Sequence, residues 1–320
     1  MSITRRILGA SAIAGLGMSV AVRARAVVTA PAAQAPSFFR YHVGDLQVTA
    51  VHDGMAYRSP EGLVPNAPPG ALAQAMADNF MPADRFQTSF TTLVINTGKK
   101  LVLIDTGNGD LGPPTSGTWM RNFRAAGFQP SDIDTVVISH FHGDHINGLR
   151  LKDGTAMFPQ AEIMVPAPEW AFWTNESKTS GLPEALQGTV RNVSRVFGPM
   201  GKDVTIYEWG QEIMPGVVAL AAGGHTPGHT AFAVTSGTGK LLIMSDVTNQ
   251  TSIFARHPTW SAVFDQDAAI ARNTRLRMLD IAATERMQVS FYHAPFPATG
   301  HILREGDGFA LVPTVWNSQA

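Results

Sequence analysis

The segment His140-Phe141-His142-Gly143-Asp144-His145 places four potential metal ligands within six residues, directly after the apolar run Thr135–Ser139. A strand of that composition is buried, so the polar side chains it delivers need partners or a bound ion. His140 and His142 are two apart, project the same way from extended backbone and can grip one ion. Asp144 and His145 follow at the turn into a helix and point at a second position close by. Gly143 lets the loop fold tightly between the two pairs. The chain has 320 residues, ten histidines and no cysteine. That excludes a disulfide framework, thiolate-held zinc, an iron–sulfur cluster and a cysteine nucleophile, and leaves imidazole and carboxylate to hold any metal.

Further ligands stand at the ends of other apolar runs. Gly224-His225-Thr226-Pro227-Gly228-His229 follows Val217–Ala221, and Asp246 ends Leu241–Met244. His293 and His301 flank Pro295-Phe296-Pro297 after Val289–Tyr292. A carboxylate can bridge two cations, so Asp246 is the natural shared ligand. Strands are expected at Leu46–Val51, Phe90–Asn96, Leu101–Ile104, Ile163–Val165, Val204–Tyr207 and Ala231–Thr235, with Thr97–Lys100 closing a hairpin. Helices are expected at Trp119–Ala126, Pro168–Trp173 and Asp265–Met287. Strand-rich halves with interspersed helices suggest two sheets covered by helices, a pattern shared with other α/β layouts.

The first residues read as an address. Arg5-Arg6 precedes a weakly apolar run, Ile7–Val22, too short and too rich in Gly, Ala and Ser to span a bilayer, and Ala24-Arg25-Ala26 offers a cleavage site. Residues 1–26 are thus expected to be a twin-arginine export signal, implying a periplasmic or secreted protein. Residues 27–38 read as a Pro/Ala-rich tether and 39–320 as one domain, with no second linker or repeat. The net charge is −1; without the four arginines of the leader, 20 basic residues face 25 acidic ones and the charge is near −5. Neither value suits nucleic acid or anionic membranes, and no membrane insertion is expected of the mature chain.

With those motifs in place the chain resembles the metallo-β-lactamase fold superfamily over about residues 40–312. The H-x-H-x-D-H run matches His140, His142, Asp144 and His145, and G-H-T-P-G-H matches residues 224–229. Asp246 fits the bridging aspartate, Gly300-His301-Ile302 the last ligand, and Val102–Gly107 the strand that carries Asp105. The resemblance implies a four-layer αββα sandwich with a binuclear site at one edge. It assigns His140, His142 and His229 to one metal, Asp144, His145 and His301 to the other, and Asp246 to both. The cofactors implied are two divalent ions, zinc first, with Mn, Co or Fe also accepted by these donors. A water bridging the two ions, its pKa lowered, is the expected nucleophile. Asp144 is also a candidate to pass a proton to the leaving group. Asp105, His225 and His293 are expected to orient ligands, while His42, His52 and His257 have no motif.

The absent cysteine and the present Asp246 argue against the lactamase branches, and no nuclease exosite or flavin domain is visible. The run His293–Pro297 leading to His301 is similar to methyl-parathion-hydrolase-like proteins and to acyl-homoserine lactonases. Expected substrates are therefore small neutral esters: lactones, aryl esters or organophosphate triesters. Leu111 stands where the organophosphate hydrolases carry an aromatic residue, and Trp173 and Phe197 are candidates for the pocket; the alternative is that Trp170 and Trp173 simply pack a helix on the core. A mononuclear iron oxidoreductase of the sulfur dioxygenase kind and a non-catalytic metal-binding module stay open as alternatives. Homodimerisation is implied by the resemblance only.

Overall fold

The computed structural model of the protein describes residues 34–201 and 203–318. The expected leader and most of the expected tether lie outside these residues.

Among the described residues two seven-stranded sheets form, each in sequence order or its reverse. The first holds β1 (Phe38–Val43), β2 (Leu46–Arg58), β3 (Phe86–Asn96), β4 (Leu101–Ile104), β5 (Thr135–Val137), β6 (Glu162–Pro166) and β7 (Thr205–Tyr207). The second holds β8 (Glu212–Met214), β9 (Val217–Ala221), β10 (Thr230–Ser236), β11 (Gly239–Ser245), β12 (Gln288–Phe291), β13 (Thr299–Glu305) and β14 (Gly308–Pro313). The helices are α1 (Ala71–Asp78), α2 (Trp119–Ala125), α3 (Gly143–Ile146), α4 (Ala167–Trp173), α5 (Glu176–Thr179), α6 (Glu184–Phe197), α7 (Thr251–Phe254) and α8 (Ala268–Thr284).

The layering follows from strand periodicity. Along β3, Leu93 and Ile95 enter the core between the sheets, while Val94 faces out to meet Trp119 and Phe123 of α2. Along β11, Leu241 and Ile243 face the first sheet, while Leu242 and Met244 meet Met278 and Leu279 of α8. Both faces of the central strands are therefore apolar, and helices cover both outer surfaces, giving the αββα sandwich.

Topology gathers the chemistry at one edge. Strands β4, β5 and β6 are parallel, so the loops leaving them emerge together. Strands β9 and β11 are both antiparallel to β10, and β12 is parallel to β11, so their exits also share an edge.

Several boundaries differ from the sequence reading. Strand β1 begins at Phe38, so the expected tether ends before that residue. Strand β2 continues past Val51 to Arg58, with an irregular register between His52 and Met55. Helix α8 starts later than Asp265 because the Asp267 carboxylate caps it, accepting the N–H groups of Ala269 and Ile270 at 3.1 and 2.9 Å. Helices α1 and α6 and strands β13 and β14 had no counterpart in the sequence reading. No helix among the described residues is long and apolar enough to cross a membrane.

Candidate metal centre

His140 and His142 follow β5, and His142 opens the short helix α3 that carries Asp144 and His145. His225 follows β9, Asp246 follows β11 and His293 follows β12. Two groups of ligand atoms result: His140, His142, His225 and Asp246, and beside them Asp144, His145 and His293, each within 4.8 Å of one another. Asp246 reaches both. Its Oδ1 is 3.2 Å from His145 Nε2; its Oδ2 is 3.2 Å from His225 Nε2, 2.9 Å from His293 Nε2 and 3.8 Å from His140 Nε2.

Each of four imidazoles is held by one ring nitrogen and aims the other inward. His145 Nδ1 lies 2.8 Å from Asp105 Oδ2, and Asp105 also accepts the Ser139 N–H and hydroxyl. His225 Nδ1 is 3.0 Å from Asp265 Oδ1, His293 Nδ1 is 2.7 Å from the Ser89 carbonyl, and His140 Nδ1 is 3.1 Å from Ser139 Oγ. Such outer partners set tautomer and ring orientation at metal sites. The inward atoms His140 Nε2, His145 Nε2 and Asp246 Oδ1 are buried and have no hydrogen-bond partner. Buried lone pairs left unpaired are costly, and two divalent cations would satisfy them together.

The electrostatics agree. Burial, reinforced by neighbouring imidazoles, holds His140 and His142 well below the usual histidine range. Burial also opposes charge on His145, yet Asp246, Asp105 and Asp144 outweigh it and push that ring well up. The same contest, decided by Asp246 and Asp265, lifts His225 to about 9. For Asp246 burial favours the neutral acid, but His293, His145 and His140 hold the carboxyl well below its usual range. The cage attracts positive charge, and cation binding would displace protons from it.

Backbone strain marks the same place. Asp105, directly after β4, and Ser245, directly before Asp246, have φ of 59° and 45°, in the left-handed region that costs a non-glycine residue about 1–2 kcal/mol.

Two expected ligands are corrected. His229 immediately precedes β10; its Nδ1 is 2.9 Å from the Ala222 carbonyl and its Nε2 accepts the Asp246 N–H at 3.0 Å, so both ring nitrogens are spent. Burial, then the charge of His225, pushes its pKa down to about 3. It steadies the Asp246 loop, and His225, expected only to orient, stands among the ligand atoms. His301 lies within β13, exposed, opposite Gln288 and Val312, where the strand turns it away from the centre. His293, also expected only to orient, stands with Asp144 and His145 in the ligand group to which His301 was assigned. Asp105 lies where it can orient His145.

The expected pocket residues are corrected too. Trp173 is buried at the end of α4 with its Nε1–H donated to Glu169 at 2.8 Å, and Phe197 is buried and stacked on Phe141 at 4.6 Å. Leu111 is half-buried in a turn. None lines the cavity that opens over the centre, which has a volume of about 610 Å³. Its apolar wall is Phe90, Pro183, Leu186, Val263 and Phe264, with the Arg58 guanidinium over the Phe264 ring at 4.9 Å. Asn249 Oδ1, Gln266 Nε2 and Thr88 Oγ1 are buried without partners, on residues lining this cavity. His42 and His257 stand apart, the latter stacked on Trp260 at 4.0 Å, and His52 packs against Phe296. Asp265, which the sequence reading missed, lies within the stretch read there as helix.

A paired-sheet sandwich carrying a His/Asp metal-binding edge defines the class. Residues 85–287 match the metallo-beta-lactamase superfamily, and the chain belongs to it. It is 26% identical over 171 residues to an N-acyl homoserine lactonase of Bacillus sp, a match covering 53% of this chain and 59% of that protein, so the chain spans under two thirds of that relative's length. Among solved structures it is similar to AbOPH, described as a hydrolase in the beta lactamase superfamily, with TM-score 0.83, 28% identity and coverage of 89% of this chain and 100% of the other. It is also similar to AidC, a dizinc quorum-quenching lactonase in complex with a hexanoyl-homoserine product, with TM-score 0.82, 26% identity and coverage of 88% and 99%.

Proposed function

We propose that the protein is a metal-dependent hydrolase of small neutral esters, lactones first among them, working with two divalent cations, most simply zinc. The observation that carries this reading is the convergence of buried, partnerless lone pairs from two ligand groups sharing Asp246, at the floor of an apolar-walled cavity. His140, His142 and His225 would hold one ion and Asp144, His145 and His293 the other, with Asp246 common to both. When bound, such ions polarise an acyl oxygen and lower the pKa of water towards neutrality.

The chain's own residues supply the rest. The apolar wall receives an acyl or aryl group and excludes water from it. Asn249, Gln266 and Thr88 offer hydrogen bonds to the polar part of a substrate, which favours a lactone bearing an amide over a plain hydrocarbon ester. Asp144 is the half-buried carboxylate of the centre, with its side chain 23% accessible where Asp246 is buried, and its backbone carbonyl accepts the Tyr292 hydroxyl at 2.5 Å. As water adds to the acyl carbon and the C–O bond breaks, the Asp144 carboxylate is placed to take the proton that the adding water releases and hand it to the departing alkoxide.

The relatives named as lactonases support the substrate class. A single-iron oxidoreductase needs fewer ligands and would leave the group around Asp144, His145 and His293 without a task. Export under the twin-arginine segment belongs to the same proposal and is tested by cell fractionation with and without Arg5→Lys, Arg6→Lys. The decisive experiment is a hydrolysis panel on zinc-loaded protein, with an acyl-homoserine lactone, an aromatic lactone, an aryl acetate and methyl parathion. Chelator-sensitive turnover of the lactones is expected, and inactivity on all four would refute the reading.

A further inference from the structure

Glu169, in the first turn of α4, is a fully buried carboxylate, and none of the salt bridges found among the described residues involves it. Burial pushes its pKa up, and hydrogen-bond donors work against that. Those donors identify its task. Its Oε2 accepts the Phe141 N–H at 3.0 Å and the Trp173 Nε1–H at 2.8 Å; its Oε1 accepts the Gly228 N–H at 2.6 Å. Phe141 sits between His140 and His142, and Gly228 belongs to the loop that carries His225. The fit at Gly228 is tight: a Cβ there would come within 2.3 Å of the Glu169 backbone nitrogen and 2.9 Å of its Cγ. One carboxylate therefore ties together two loops distant in sequence, and these supply the three histidines of one ligand group. The histidines of the other group are anchored separately, His145 by Asp105 and His293 by the Ser89 carbonyl.

We propose that Glu169 is a positioning residue that sets the spacing of His140 and His142 against His225, and so selectively governs the affinity of that one cation position. Glutamine would retain one acceptor oxygen but turn an NH2 group toward backbone or indole N–H donors, whichever way the amide is oriented. One clamp contact is then lost and replaced by donor facing donor. Loss of an outer hydrogen-bonding partner typically weakens metal binding about 10–100-fold.

The inference rests on the two-cation reading, and the test keeps the two apart. Chelator-stripped wild type, E169Q, E169D and W173F are titrated with zinc against a chromophoric competitor, and each is also melted. E169Q is expected to lose at least tenfold in one zinc affinity while the other stays within threefold. E169D, too short to reach both loops, should show the same one-sided loss should E169Q fail to fold. W173F, which removes only the indole donor, should melt lower and retain both affinities. Wild type taking up two zinc ions with E169Q and E169D unchanged, or weakened equally at both positions, would overturn the role of Glu169. Wild type taking up no zinc would overturn the two-cation reading and this inference with it.

Discussion

Replacing Arg275 with methionine tests how the His225 side of the centre is supported. Arg275 rises from α8 with its side chain 1% exposed. Its Nε donates to the Val247 carbonyl at 2.8 Å, one terminal nitrogen to the carbonyls of Trp260 and Pro258, and the other to Asp265 Oδ2 at 3.1 Å. Asp265 in turn fixes His225. Removing the cation takes one of two charged partners from a buried carboxylate that His225 still holds, which costs toward the lower end of about 3–5 kcal/mol. The three carbonyls lose charged donors, a further loss of order 1 kcal/mol each, partly offset by water and by methionine packing on Phe254. A net loss of about 4 kcal/mol follows. With an unfolding entropy of about 2.1 cal/mol/K per residue over roughly 280 folded residues, the midpoint should fall by about 7 °C. Calorimetry on chelator-treated protein reads this directly, since bound metal would mask it. Arg272→Met, one turn away and bonded only to Ser261 Oγ, should cost under about 1 kcal/mol. The pH dependence has a definite sign. Burial raises the Asp265 pKa, but His225 and Arg275 hold it below the usual 3.8. Its stabilising contribution is thus complete above that value and lost as pH falls through the folded-state value. The difference between wild type and variant should therefore be full near neutrality and shrink in acid. A variant melting within about 2 °C of wild type near neutrality would refute the reasoning.

Three other outcomes are expected. His293→Ala should bind one zinc equivalent fewer than wild type, whereas His301→Ala should bind the full complement, as counted by elemental analysis after gel filtration. Removal of metal should lower the melting midpoint; restoring zinc at about a thousand times its dissociation constant adds about 4 kcal/mol per site, or roughly 7 °C, while no shift would show that the ligand groups do not bind it. Leu186→Ala should raise KM for a long-chain lactone several-fold with kcat little changed, whereas Trp173→Ala should cost about 3–5 kcal/mol of stability through a core cavity; identical kinetic and melting profiles would erase the distinction between wall and core.

The central strands were legible because their chemistry is strong. Leu101–Ile104 and Val217–Ala221 are uniformly apolar between glycine-bearing turns, and the structure gives them the same bounds. Helix α6 was not, because Glu184–Phe197 contains Gly188 and several weak helix formers. Its helicity comes from the spacing of Val193, Val196 and Phe197, which meet the core together. Missing that spacing also made Phe197 look like a free ring available to substrate. Trp173 was misread for a similar reason: it ends α4, one turn after the Glu169 that holds its indole. The pocket wall is assembled instead from β3, the start of α6 and the loop before α8, segments far apart in sequence and joined only by the fold.

The two misassigned histidines share a physical cause. Each ligand the structure gathers stands beyond the C-terminal end of a strand, where strands running in the same direction deliver their loops to one edge: His140 after β5, His225 after β9, Asp246 after β11 and His293 after β12. His229 and His301 break that rule, the first abutting the start of β10 and the second lying inside β13. Motif order alone does not distinguish the two histidines of Gly224–His229, since only three residues separate them and both end up buried. What distinguishes them is the partner of the second nitrogen. His225 has Asp265 on one side and the centre on the other, whereas His229 finds backbone on both sides and stays neutral between a carbonyl and an N–H. That neutral ring receives the N–H of Asp246 itself, so the histidine that does not bind metal fixes the carboxylate common to both ligand groups. Exchanging either histidine for alanine should therefore impair metal binding by different routes. His225→Ala removes one ligand and one zinc equivalent, while His229→Ala frees the Asp246 loop and should weaken both positions together.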